Sequence, residues 1–123
     1  LEKILLSAMK QSLQCYLPKI NPPITLLEWL NKVPNEAKYI AHCQEGNRLA
    51  LFEQLCALPC SVKNITILIG PEGDFSSKEI EKALSMGFTP VVLSPHRLRT
   101  ETAAVVATSS VADAFGAKKV GLF

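Results

Sequence analysis

Ile65-Thr-Ile-Leu-Ile69 is the segment that most limits what this chain can become. It is apolar on both faces, so a strand here has to be covered on both sides, the condition met in a parallel sheet flanked by helices. The run stops abruptly at Gly70-Pro71-Glu72-Gly73-Asp74. Pro71 fixes φ and donates no hydrogen bond, whereas Gly70 and Gly73 can take positive φ and let a ligand approach the backbone. A second apolar run, Thr89-Pro-Val-Val-Leu93, breaks off just as sharply in Ser94-Pro-His-Arg-Leu-Arg-Thr-Glu-Thr102. In open parallel sheets ligands bind beyond the carboxyl ends of the strands, so two polar turns at two strand ends mark a ligand site.

The remaining pattern supplies the helices that such a sheet needs. Leu1, Ile4, Leu5, Ala8, Met9, Leu13 and Leu17 recur at helical spacing until Pro18, which predicts an amphipathic helix over residues 2–16 and a linker from Pro18 to Pro23. Thr25-Leu-Leu-Glu28 has the form of a capping box and starts a short helix through Trp29 and Leu30. Ala37 to Cys43 reads as a strand that ends at Gln44 to Asn47, a third loop at a strand end. Asn47 to Leu58 reads as a helix closed by Pro59. Ser76-Ser-Lys-Glu79 can cap a further helix with Ile80, Ala83 and Leu84 on its buried stripe and Gly87 at its end. The last helix is expected from about Glu101 to Phe115, rich in small residues, with Gly116 as its stop. Strands alternating with helices argue an α/β fold with a mainly parallel sheet and helices on both faces.

Size and composition narrow the reading further. At 123 residues and 48% hydrophobic composition the chain is one packed domain without a second core. Its net charge of +2 is too small to imply binding to a phosphate backbone on charge alone. Cys15, Cys43, Cys56 and Cys60 form no Cys-x-x-Cys pair and have no histidine at zinc-ligand spacing, so no metal is expected and the thiols are read as reduced and mostly buried. No apolar run reaches the roughly 18 residues of a membrane span and no signal peptide is visible, which points to a cytoplasmic protein. The chain begins with Leu1 and opens directly in an amphipathic pattern, as a piece of a longer protein would.

Gly70-Pro71-Glu72-Gly73 lacks the Gly-Lys-Ser/Thr ending of a nucleotide P-loop and the third glycine of a dinucleotide fingerprint. Together with Leu93-Ser94 and Leu98-Arg99-Thr100-Glu101-Thr102-Ala103, however, it resembles the signature of the SPOUT methyltransferases. The closest likeness is to the family that methylates N3 of a uridine in bacterial small-subunit (16S) ribosomal RNA. The likeness is specific over roughly residues 65–110, with Asp74 and Ser94 standing where that family has glycine. It implies a trefoil knot that threads residues 93–115 through an upstream loop, an exception to the rule against threading. It also implies a homodimer and a small β-rich, PUA-like RNA-binding domain ahead of this one, a segment that residues 1–123 do not contain. The implied cofactor is S-adenosylmethionine, bent within the knot and touched largely through backbone at Ile69, Gly70, Gly73, Leu93, Ser94, Leu98 and Thr100.

The residues themselves suit that chemistry. Adenine needs backbone donors and acceptors beside an apolar slot, and Leu68, Leu93 and Leu98 can form the slot. Methylation at N3 requires a proton to leave and negative charge on the flanking carbonyls to be stabilised, a role that Arg99 suits, unless it simply pairs with Glu101 or Glu72. Glu101 is either catalytic or, with Thr102, an acidic and polar start to the last helix. Glu72 is either a general base or an ordering group for its turn. His96 and Arg97, with Arg99, form the densest positive cluster and are either RNA phosphate contacts or a solvated loop, while Lys118 and Lys119 read as solvated charge. Two other readings stay open: a SPOUT enzyme acting on a ribose 2′-oxygen or guanine N1, and a non-catalytic knotted module for dimerisation or RNA docking, suggested by Asp74 and Ser94.

Overall fold

The computed structural model describes residues 3, 4, 7, 19–33, 36–42 and 48–119, with backbone alone at 117–119. Strands β1 (Ala37–Ala41), β2 (Leu49–Ala50), β3 (Ile65–Ile69) and β4 (Thr89–Val92) form one sheet in the order β2-β4-β1-β3, and every pairing is parallel. Ala41 lies opposite Ile69 of β3 on one side and Val91 of β4 on the other, so the carboxyl ends of three strands finish side by side. The helices are α1 (Leu26–Leu30), α2 (Leu51–Ala57), α3 (Ser77–Ser85) and α4 (Thr100–Lys119).

Strand alternation divides the core between the two faces of the sheet. Ile40 turns to one side, where it joins buried Leu30 of α1, Ile80 and Ala83 of α3, and Phe75 and Phe88. Its neighbour Tyr39 turns to the other, where it meets Leu51 and Leu55 of α2, Val91, and Ala107 and Ala114 of α4. Small residues on α4 let it lie close against α2. The expected architecture, a parallel sheet covered by helices on both faces, is therefore the one observed.

Local signals set several boundaries. Ser76 and Glu79 complete a capping box: Glu79 N donates to Ser76 Oγ at 3.2 Å, and Ser76 N donates to Glu79 Oε1 at 2.8 Å. Thr25 Oγ1 accepts from Glu28 N at 3.3 Å and starts α1. Gly87 ends the turn after α3 with φ +91°, a conformation that favours glycine.

Four expectations shift. A two-residue strand, β2, precedes α2 where helix alone was expected from Asn47, because two residues are too few to carry a period. β1 ends at Ala41, short of Cys43. α4 begins at Thr100 and continues through Gly116, since the Ala117-Lys118-Lys119 that follows favours helix over a left-handed stop. Cys60 is exposed just past the end of α2 and Cys56, within α2, is only half-buried, while Cys15 and Cys43 lie outside the described residues. The helix predicted over residues 2–16 falls outside the described residues except at 3, 4 and 7, which are helical, and the loop from Gln44 to Asn47 falls outside them altogether.

Candidate functional site

β3 and β4 deliver their turns to the same edge of the sheet, one strand apart. Beyond β3 the chain folds back at once: Asp74 N donates to Pro71 O at 2.8 Å, and Asp74 takes φ 63°. The left-handed residue of the turn is thus Asp74, not Gly70 or Gly73, neither of which has positive φ. Gly70 is needed for a different reason. A Cβ there would sit 3.1 Å from two ring carbons of Phe75, which is buried at 7% exposure beneath the turn. Gly73 has open space around the position of its missing Cβ.

Beyond β4 the chain runs in irregular conformation from Leu93 to Arg99, where Ala103 N donates to Arg99 O at 2.8 Å and begins α4. Locally this loop is tied by His96 N donating to Ser94 Oγ at 3.2 Å. Its other ties reach the first turn. Thr100 Oγ1 donates to Gly70 O at 2.9 Å, and Arg97 Nη2 donates to Glu72 O at 3.3 Å. At the end of β1, Arg48 Nη1 donates to His42 O at 2.6 Å, which brings a guanidinium and a buried imidazole to the same edge.

These segments enclose a cavity of about 780 Å³, within the size range of sites for cofactor-sized molecules. One wall is the main chain from Ile69 to Glu72 with Asp74, another is the run from Val91 to Thr100, and Ala41, His42, Arg48 and Ala103 complete it. The mixture is what an amphipathic nucleoside requires: aliphatic side chains at Ile69, Val91, Leu93 and Leu98, half-buried backbone at Gly70, carboxylates at Glu72 and Asp74, and guanidinium groups at Arg48, Arg97 and Arg99. Below the site, burial pushes the Tyr39 phenol above its ordinary value of 10.0, so it serves the core as a neutral group.

A family model described as RNA methyltransferase domain matches residues 1–112. The chain belongs to that family. Ribosomal RNA small subunit methyltransferase E of Buchnera aphidicola subsp. Acyrthosiphon pisum is 35% identical over 116 residues, covering 94% of this chain and 44% of that protein. Among solved structures, a Ribosomal RNA small subunit methyltransferase E from Neisseria gonorrhoeae bound to S-adenosyl methionine matches with TM-score 0.69 at 28% identity, over 97% of this chain and 46% of that one. A Legionella pneumophila protein solved with the bound cofactor SAM matches with TM-score 0.78 at 30% identity, over 92% of this chain and 44% of that one. The chain thus spans less than half the length of these relatives.

Ile69, Gly70, Glu72, Leu93, Ser94, Leu98, Arg99 and Thr100, all singled out from sequence, line the cavity together. Three others do not. Leu68 packs beside the core of α1 and α3, because alternation turns it away from Ile67 and Ile69. Gly73 sits at the exposed tip of its turn, and Glu101 is exposed in the first turn of α4, where its charge suits the helix dipole. Sequence reasoning passed over His42 and Arg48. Their signal was position alone, since they flank the third strand-end loop on its two sides.

Proposed function

We propose that this domain binds S-adenosylmethionine in the cavity and methylates N3 of a uridine in small-subunit ribosomal RNA. The observation that carries the reading is the convergence of both sequence motifs on one cavity of nucleoside size at the carboxyl ends of parallel strands. The donor, when bound, supplies the methyl group. Ile69, Leu93 and Leu98 would form its apolar slot, and the main chain at Gly70, Ser94 and Thr100 would offer it hydrogen-bonding groups.

Arg99 is the group best placed to stabilise charge that develops on the uracil carbonyls, because it lines the cavity where the β4 loop meets α4. Glu72 lies on the facing wall and is the candidate to receive the N3 proton, while Glu101 supports the start of the helix that follows Arg99. His96 and Arg97, exposed on the rim, suit contact with RNA phosphates. The reading includes the trefoil knot of the β4 to α4 segment, a homodimer, and an RNA-binding domain in the remainder of the full-length protein.

Calorimetric titration with S-adenosylmethionine and S-adenosylhomocysteine tests the donor site, with saturable one-to-one binding expected. Methyl transfer to small-subunit RNA by the full-length protein, followed by mass mapping of the modified base, tests the reaction. Arg99→Ala is expected to lower turnover far more than donor affinity, since a contact made in the transition state contributes little to ground-state binding. Methylation of a ribose oxygen or of guanine, or equal turnover by the Arg99 variant, overturns the assignment.

A further inference from the structure

We infer that the Thr100 hydroxyl is a positioning group for the methyl donor: it pins the β4 loop to the end of β3 and so sets the distance between the two walls of the cavity. The inference rests on the donor site proposed above and concerns a side chain for which the sequence suggested only backbone contact.

Threonine at an N-cap serves its own helix by accepting from a nearby backbone N–H, but Thr100 is the first residue inside α4, one past Arg99, whose carbonyl accepts the first helical bond. Here the hydroxyl instead donates to Gly70 O, thirty residues upstream, at 2.9 Å in a half-buried setting. Gly70 O lies just beyond the ladder that β3 makes with β1, whose last pair is Ala41 and Ile69. A carbonyl at that point has left the sheet and needs a donor from elsewhere.

The acceptor is itself held by its neighbours. The Phe75 ring lies close enough to Gly70 that even a methyl group would crowd it, and Asp74 N bonded to Pro71 O closes the turn just past it. A bond from Thr100 to this point fixes the N-terminus of α4, and with it Leu98 and Arg99, against a rigid reference. Arg97 adds an exposed and longer bond to Glu72 O, which parallels the inner one and cannot replace it. Any ligand that touches both walls feels their spacing, so loss of the hydroxyl must appear in donor affinity beyond its effect on folding.

Three variants isolate the hydroxyl: Thr100→Ser keeps it, Thr100→Val keeps the shape without it, and Thr100→Ala keeps neither. Donor affinity is read by calorimetry with S-adenosylmethionine, and the ligand-free state by hydrogen exchange of the amides from Leu93 to Ala103. Thr100→Ser is expected to bind within about threefold of the parent, and Thr100→Val about tenfold or more weaker, with faster exchange across the loop. Where Thr100→Val does not fold, the comparison of Ser with Ala carries the same contrast. Equal affinity and equal exchange in the variants with and without a hydroxyl overturn the inference while leaving the donor site standing. Failure of the parent protein to bind the donor overturns both.

Discussion

The two walls of the cavity are built on opposite principles. The turn from Gly70 to Ser76 supports itself: Pro71 and Asp74 close it, Phe75 anchors it in the core, and the Ser76 capping box carries it into α3. Among the described residues the loop from Leu93 to Arg99 has one local tie, at Ser94, and is held from outside by Thr100 and Arg97 bonded to carbonyls of the first turn. A wall that is stable alone gives a reference point, and a wall that is docked onto it can adjust. The contrast teaches that damage to the first turn should spread to the second, whereas damage to the second should stay local.

Removing the anchor is the hardest blow to that contrast. Phe75→Ala deletes a buried ring from the core under the turn and is expected to destabilise the protein by about 3 kcal/mol or more, measured by urea unfolding. A loss below about 1 kcal/mol would mean that the turn does not depend on its anchor. Ser76→Ala removes the Oγ half of the reciprocal cap while the backbone N–H at 76 keeps its bond to Glu79, and it should cost about 1 kcal/mol, with donor affinity changed less than in Thr100→Val. A larger effect on binding than on stability would show that the first wall is not self-supporting.

Below the site, Tyr39 gives a pH test of the shared core. Its folded pKa lies above 10.0, so stability from this group is complete below that pH and is lost as pH rises above it, when the unfolded chain gives up a proton that the folded chain retains. Unfolding curves at stepped alkaline pH should show the decline, and Tyr39→Phe should flatten it. The smallest effect belongs to Gly73→Ala. With no positive φ and open space at the Cβ, the substitution should change stability by less than about 1 kcal/mol and leave donor affinity unaltered in calorimetry. Loss of binding there would place the ligand at the tip of the turn rather than along Gly70.

The sequence made most of this legible, for reasons that differ by region. Ile65 to Ile69 announced a doubly covered strand because burial on two faces leaves no polar alternation, and the caps at Thr25, Ser76 and Gly87 are local chemistry that needs no tertiary context. β2 was hidden, since Leu49 and Ala50 form a strand only because β4 lies alongside them. Leu68 suits the slot as an aliphatic side chain, but strand alternation turns it to the face opposite Ile67 and Ile69. The turn was recognised, and Asp74, standing where a glycine is expected, is a residue type that tolerates the left-handed conformation it takes. Asp74 takes that conformation while Gly70 is spared a side chain by Phe75, a contact between residues that only the folded backbone brings together. His42 and Arg48 were missed because a lone residue at a strand end has no pattern around it.

The strand order has a consequence for how the protein is made. β4 is the last of the described strands to leave the ribosome, yet it occupies the seat between β1 and β2. Until it arrives, β1 can zip to β3 along one side only, and β2 has no neighbour in the sheet. The nascent chain therefore carries an unfilled slot flanked by Tyr39 and Ile40, with the surface of α2 that α4 will cover still bare. Such a chain is exposed to mispairing until β4 has been made. Insertion of β4 completes the sheet in one late, long-range event, and the same event first brings Leu93 to Arg99 against Gly70, so the site and the closed sheet come into being together.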